Sequence, residues 1–248
     1  MIWVIAGTLD GRTLAVDIQE RTGEEVLVTV VSQYGAELAA HKGITVHTGR
    51  LDQEAMQDLI KKHNVRLLID ASHPYAANVS RSILKVTKKL GTKYLRFERK
   101  MLDYGDENVF KFETLSQMNE FISKYENKNI LSTLGSNNLE EIKAMSKKNN
   151  LFVRILPTTA SIQKAENLGY LPKNIIAIQG PVDKNLNLAM LKSFKIDFLI
   201  TKESGKTGGE KEKIDACKEF GTVVLVLKRP FVNYRNVYSD IDKLINHI

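Results

Sequence analysis

The chain has a single cysteine, Cys217. It can form no internal disulfide, and nothing in it asks for an oxidising compartment, so the expected location is the cytoplasm. No apolar run approaches the about 20 residues that a membrane helix needs. The longest, such as Val26 to Val31 broken by Thr29, are strand-sized. Met1 to Ala6 carries no basic stretch and runs straight into a glycine turn, so it reads as a first strand and not as a signal peptide. Paired cysteines and a His-x-x-x-His spacing are both missing, and no resident metal is expected. Neither a G-x-S-x-G elbow nor a Cys–His pair supplies a covalent nucleophile. Chemistry that a cofactor carries, such as hydride transfer, fits those absences. The chain also lacks an RNA-recognition signature and a basic stripe interleaved with aromatics, so no nucleic-acid partner is expected. Repeats and low-complexity tracts are absent too.

What is present is ordinary in bulk: 43% hydrophobic residues, with 36 basic and 29 acidic side chains giving a net charge of +7. A basic balance suits a solvated surface or an acidic small ligand, and arginines at the ends of expected strands favour the ligand. At 248 residues the chain is long for one core and comfortable for two small domains sharing a cleft. Strand and helix patterns alternate, which implies an α/β fold with parallel sheets. Strands are expected at 2–6, 26–31, 44–47, 65–69 and 93–97. Helices fall between them, one over 11–21, one capped by Asp52, and one through Ala76, Val79, Ile83, Val86 and Leu90 that Gly91 stops. The polar stretch Lys100 to Asn108 reads as a linker, giving domains over 1–100 and 101–248. The second series has strands near 130–134, 151–156, 175–179, 196–201 and 222–228, and helices near 137–148, 159–168, 185–193, 208–220 and 239–247. Each half reads as a doubly wound sheet, whose ligands bind beyond the carboxyl ends of the strands.

The loops at those ends hold the chemistry. Ala6-Gly7-Thr8-Leu9-Asp10-Gly11-Arg12 follows the first strand and opens a helix. Its glycines permit a tight turn and close approach of an anion to the helix start, although the spacing is not G-x-G-x-x-G. After the second strand, Val31-Ser32-Gln33-Tyr34-Gly35 offers no carboxylate for a ribose, which leans toward NADPH. Gly49-Arg50 ends the third strand and suits an anion or a plain surface turn. In Asp70-Ala71-Ser72-His73-Pro74-Tyr75-Ala76, Pro74 suits the first turn of a helix. His73 can supply a proton and Tyr75 can donate one or stack on a planar ligand, or else Ser72 or Asp70 caps the helix and His73 is structural. Arg96 and Arg99, with Glu98, suit an ion-pair network or carboxylate binding equally. In the second half, Thr133-Leu134-Gly135, Arg154 and Gly180-Pro181 end successive strands. The loop Thr201-Lys202-Glu203-Ser204-Gly205-Lys206-Thr207-Gly208-Gly209 precedes a helix and suits anions. Thr201 stands where a P-loop needs glycine, which excludes an ATPase.

Together these loops resemble one family, the precorrin-6A and cobalt-precorrin-6A reductases. The likeness runs along the whole chain through Gly7-Thr8 with Asp10-Gly11-Arg12, Gly49-Arg50-Leu51, Asp70 to Ala76, Tyr94-Leu95-Arg96 with Glu98-Arg99, Arg154-Ile155-Leu156-Pro157, Gly180-Pro181, Lys202 with Ser204-Gly205 and Gly208-Gly209, and Arg229-Pro230. The segment around His73 is the most specific of them. The chain departs from the family pattern at Ala6 (usually glycine), Asp10 (glutamate), Ser72 (threonine), Val182 (phenylalanine) and Lys206 (glycine), the last adding a charge beside the anion loop. The resemblance implies two Rossmann-like domains, each a mostly parallel sheet flanked by helices, with the active site in the cleft between them. It implies hydride transfer from NADPH or NADH to a macrocycle double bond of precorrin-6A or cobalt-precorrin-6A, giving the 6B product of corrin-ring biosynthesis. His73 and Tyr75 would then be the catalytic residues. The cofactor would lie on Gly7, Thr8, Asp10, Gly11, Arg12, Ser32, Gly49, Arg50 and Ser72, and on Lys202, Ser204, Gly205, Gly208 and Gly209. The acetate and propionate groups of an anionic tetrapyrrole-derived substrate would meet Arg96, Arg99, Arg154 and Arg229, with Thr133 beside them. A monomer, in transient contact with neighbouring pathway enzymes, is the expected state. Macrocycle methyltransferases do not match these loops; a non-enzymatic dinucleotide- or tetrapyrrole-binding module is the alternative reading.

Overall fold

A computed structural model describes residues 1–105 and 108–248. The first elements alternate as the apolar pattern requires: β1 (Ile2–Ile5), α1 (Leu9–Thr22), β2 (Val26–Val30), α2 (Gln33–Ala39), β3 (Ile44–Thr48), α3 (Gln53–Lys62), β4 (Leu67–Asp70), α4 (Ala77–Leu90) and β5 (Lys93–Phe97). Next come β6 (Val109–Phe112), α5 (Leu115–Ile122), β7 (Asn129–Ser132), α6 (Leu139–Ile142), β8 (Asn150–Ile155), α7 (Thr159–Asn167), β9 (Ile175–Ala177), α8 (Lys184–Ser193), β10 (Phe198–Lys202), α9 (Glu210–Phe220) and β11 (Val223–Leu227). The chain closes with β12 (Val237–Tyr238) and α10 (Ile241–Ile245).

Two units result, one of Met1–Lys100 with Pro230–Ile248 and one of Met101–Arg229. The first holds a parallel sheet in the order β12-β5-β4-β1-β2-β3. Its inner strands are mostly apolar because both faces are covered, with Thr29, Asp70, Lys93 and Arg96 as the polar exceptions. Ile2, Val4, Leu67 and Ile69 pack with Leu14 and Ile18 of α1 and Leu244 of α10. Trp3, Leu27 and Leu68 face the other way, onto Met56 and Leu59 of α3 and Ile83 and Val86 of α4. The Trp3 indole N–H donates to Thr29 Oγ1 at 3.0 Å, which accounts for a polar residue inside β2. Local signals set the helix ends: Asp52 Oδ1 accepts the Ala55 N–H at 2.8 Å, and Gly23 and Gly91 close α1 and α4 with φ of 68°.

The second unit repeats the logic in the order β6-β11-β10-β7-β8-β9, again all parallel. Leu131, Leu199, Val224 and Val226 pack with Leu191 of α8 and with Ile214 and Cys217 of α9. Phe121 of α5 sits among Phe110, Phe112, Tyr125 and Phe198.

Several expectations are corrected. The second unit does not run to residue 248: after Arg229 the chain returns to the first unit. The reason is the bare outer edge of β5, where Asn236 and Tyr238 carbonyls accept the Arg96 and Glu98 N–H groups at 3.0 and 2.8 Å. The expected linker brackets the boundary at Lys100, and its Asp106 and Glu107 lie outside the described residues. The helix expected over 137–148 is instead short α6 between two 3-10 turns. Its buried residues Leu139, Ile142 and Met145 recur every third position, which is the 3-10 period. Pro74 and Tyr75 form a turn, with the Ala76 N–H on the His73 carbonyl at 2.7 Å, so α4 begins at Ala77 and takes no side-chain cap from Asp70 or Ser72. α2, β6 and α5 have no counterpart among the expected elements.

Candidate functional site

In the first unit the chain runs outward from β1 to β2 and β3, then returns to β4 on the other side of β1. The loops after β1 and β4 therefore flank a switch point, where parallel sheets hold ligands. Thr8 stitches the two together: its Oγ1 accepts the Gly11 N–H at 3.1 Å and donates to the Ala71 carbonyl at 3.4 Å. The two glycines differ. A Cβ on Gly11 would lie 2.9 Å from Ala6 Cα and 3.1 Å from the Ala71 carbonyl, so helix–strand packing demands glycine there. A Cβ on exposed Gly7 would meet nothing within 4 Å. Ser32 caps α2 through the Gly35 N–H at 3.1 Å. Beside it the Gly49 N–H, at φ 129°, donates to the Val30 carbonyl at 2.9 Å and leaves Arg50 exposed. Arg12 and Arg50 have no carboxylate partner among the described residues.

The loop after β4 rests on a buried charge network. Asp70 and Arg96 are both fully buried, joined Oδ1 to Nη1 at 2.9 Å. Asp70 Oδ1 also accepts the Ser72 N–H at 3.1 Å, and its Oδ2 accepts the Tyr94 hydroxyl at 3.2 Å. Arg96 Nη1 donates to Ser72 Oγ at 3.2 Å, and its guanidinium carbon lies 4.6 Å from the Tyr234 ring centre. Burial opposes the Arg96 charge, but Asp70, Tyr234 and Glu98 together hold its pKa above the arginine norm. Burial, then the Asp70 carboxylate, push the Tyr94 phenol far up. Losing one partner of such a pair costs about 3–5 kcal/mol, because a buried charge is left alone. This corrects the expectation for Arg96: it is withdrawn from any substrate and instead shapes the Ser72–Tyr75 turn. Within that turn His73 Nδ1 accepts the Tyr75 N–H at 3.2 Å, which places the proton of the neutral ring on Nε2. The two rings lie 5.7 Å apart. Arg99 is likewise engaged, its Nε on Asp10 Oδ2 at 2.5 Å, tying the end of β5 to the start of α1. Thr8, Asp10, Ser72 and Arg99 thus line one small hollow with Pro74 and Glu98.

The second unit has its switch point between β7 and β10. The Thr133 hydroxyl donates to the Ile200 carbonyl at 2.9 Å, a contact within the fold of the unit. Burial lowers the Lys202 pKa at the end of β10. In the following loop Ser204 Oγ donates to the Gly208 carbonyl at 3.2 Å. Gly205 and Gly209 take φ of 69° and 65°, and a Cβ on Gly209 would strike Pro181 Cβ at 2.8 Å. The Gly205 N–H, expected to face a ligand, is held by Glu210 Oε2 at 2.5 Å. Arg229 folds onto its own unit, with its N–H on Glu203 Oε2 at 3.1 Å and its Nε on the Glu203 carbonyl at 2.9 Å. Arg154 remains: it donates to Asn187 Oδ1 at 2.9 Å, has no carboxylate partner among the described residues, and burial lowers its pKa to about 10.

Sequence reasoning named Tyr94 and Glu203 without giving them a role, and missed Glu210 and Lys213. Only Glu210 carried a signal, an acid opening a helix after two glycines. A hollow of about 550 Å³ beside Lys85, Lys88, Lys93 and Arg235 lies at the amino end of β5, where cations complement the carboxyl end of α4, and has no part in the site.

The family described as Precorrin-6x reductase CbiJ/CobK matches residues 1–248. The cobalt-precorrin-6A reductase of Priestia megaterium is 34% identical over 250 residues, covering 99% of this chain and 97% of that protein. Its namesake from Methanothermobacter thermautotrophicus is 33% identical over 250 residues, covering 99% and 82%. A solved CobK precorrin-6A reductase superposes with a TM-score of 0.80 at 18% identity, over 99% of this chain and 95% of that one, and so shares the fold.

Proposed function

Because the chain belongs to the precorrin-6x reductase CbiJ/CobK family, an oxidoreductase family of cobalamin biosynthesis, we propose that it reduces one double bond of cobalt-precorrin-6A with a hydride from NADPH. The observation that carries the cofactor is Gly7. No atom of the described residues lies within 4 Å of a Cβ placed there, and the residue stands just ahead of the 14-residue helix α1. A pyrophosphate would approach the backbone at Gly7 and meet the N–H groups of the helix start. The bound dinucleotide supplies the hydride. Ser32 and Arg50 favour NADPH over NADH, since no carboxylate ends β2 to repel a 2′-phosphate. His73 Nε2–H, oriented by Tyr75, gives the proton to the ring carbon next to the one that takes the hydride. Arg154 takes a substrate carboxylate, and Lys202 with the loop that follows takes an anionic group of cofactor or substrate. The cobalt-loaded substrate follows from the names of the two relatives at 34% and 33% identity. No described helix is long and apolar enough to cross a membrane, and the single thiol is buried, which suits a cytoplasmic enzyme.

The test mixes the protein with NADPH or NADH and with metal-free or cobalt-loaded macrocycle, and follows the absorbance of the reduced nicotinamide. Consumption that needs the macrocycle, fastest with NADPH and cobalt, is expected. Binding of both ligands without consumption would leave a binding module and no reductase.

A further inference from the structure

The turn after β10 is held by two charged residues of the helix that follows it. Glu210 opens α9 with a side chain only 1% exposed. Its Oε2 accepts the Gly205 N–H at 2.5 Å, reaching back across the turn. Its Oε1 is buried and has no hydrogen-bond partner among the described residues. Lys213, one helical turn on and 6% exposed, donates its ammonium to the Gly208 carbonyl at 3.2 Å. One residue therefore grips the turn by a donor and the other by an acceptor. An acid at a helix start needs no burial to favour the helix dipole. A buried carboxylate with one bare oxygen is costly to the fold, and such groups persist where geometry is worth more than stability.

We propose that Glu210 is a positioning residue: its acceptor oxygen fixes the 204–208 turn in the shape that lets Lys202 meet an anionic group of the ligands. The inference rests on the reading that Lys202 contacts such a group. Lys202 is joined to the turn through its carbonyl, which accepts the Ser204 N–H at 2.7 Å. Releasing Gly205 frees the segment between Lys202 and α9, and the lysine loses its fixed bearing. The anion is a cofactor phosphate or a substrate carboxylate, and the two KM values distinguish them.

The experiment compares Glu210→Ala, Glu210→Gln and Lys202→Ala in the full chain, measuring kcat, both KM values and the thermal midpoint. Glu210→Gln keeps an oxygen for the Gly205 N–H. The expected result is that Glu210→Ala raises one KM about tenfold, the loss of one charge-assisted hydrogen bond's worth of ordering. Lys202→Ala should raise the same KM, and Glu210→Gln should hold it within about threefold of the parent. A rise in the cofactor KM assigns the anion to the dinucleotide, and a rise in the substrate KM assigns it to the macrocycle. The proposal is overturned if Glu210→Ala moves neither KM, if it moves a different one from Lys202→Ala, or if Glu210→Gln is as impaired as Glu210→Ala. If Glu210→Ala does not fold, the Glu210→Gln comparison with Lys202→Ala decides: Glu210→Gln within about threefold of the parent supports the proposal, and a rise matching Lys202→Ala overturns it. A Lys202→Ala enzyme with unchanged KM values removes the anion contact itself, a failure of the underlying reading separate from that of Glu210.

Discussion

Two glycines four residues apart do opposite work, and substitution separates them. Gly11→Ala forces a methyl against Ala6 and Ala71 and should destabilise the first unit by about 1–3 kcal/mol. The methyl of Gly7→Ala meets no atom of the described residues within 4 Å, so the variant's melting temperature should match the parent while the cofactor KM rises. Parallel thermal scans and steady-state kinetics check both, and a Gly7→Ala enzyme with parental KM would clear that space of any ligand. Lys213 gives a pH signature. Burial, and next the Arg154 charge, bring its pKa from 10.5 to about 8. Between those values the unfolded chain keeps a proton that the folded chain has lost, so the unfolded state binds more protons and stability rises with pH. Urea midpoints should climb from pH 8 to 10.5 in the parent and less so in Lys213→Met; parallel profiles would contradict the shift. The cations at strand ends were legible as residue types, but their fates were not. Nothing local in Arg96-Phe97-Glu98-Arg99 says that Arg96 is fully buried on Asp70 while Arg99 reaches Asp10. Those partners lie 26 and 89 residues away in sequence.

At the level of elements, legibility followed period and length. α1, α3 and α4 carry clear apolar faces and standard ends, so their extents fell within a few residues of expectation. α2 buries only Ala39, and β6 is a half-covered edge, so neither has a pattern to read. α5 did carry a signal, the capping box of Thr114 and Gln117. β12 has two residues and no period at all, yet it completes a sheet edge. Its removal is therefore informative. Deleting Pro230–Ile248 strips β5 of its outer neighbour and removes Leu244 and Ile245 from the core. The first unit should lose cooperative unfolding while the second keeps its own transition, as two-stage denaturation followed by hydrogen exchange would reveal. Full protection of β1 and β4 amides in the shortened chain would contradict this.

Over the whole molecule, the charge of +7 is the property that acts at a distance. A polyacid substrate should be drawn in electrostatically, so kcat/KM should fall several-fold as salt rises from about 0.01 to 0.5 M, with kcat steady. Flat kcat/KM across that range would limit the cations to local contacts. The α/β class and the doubly wound character of both sheets were readable because alternation is a global pattern. The crossing of the chain back to its first sheet was not, since only long-range pairing records it.

That return has a consequence for how the protein comes into being. Residues beyond Arg229 leave the ribosome after every strand of the second sheet has already emerged. The half translated first must wait, its margin open, while the half translated later is free to finish ahead of it.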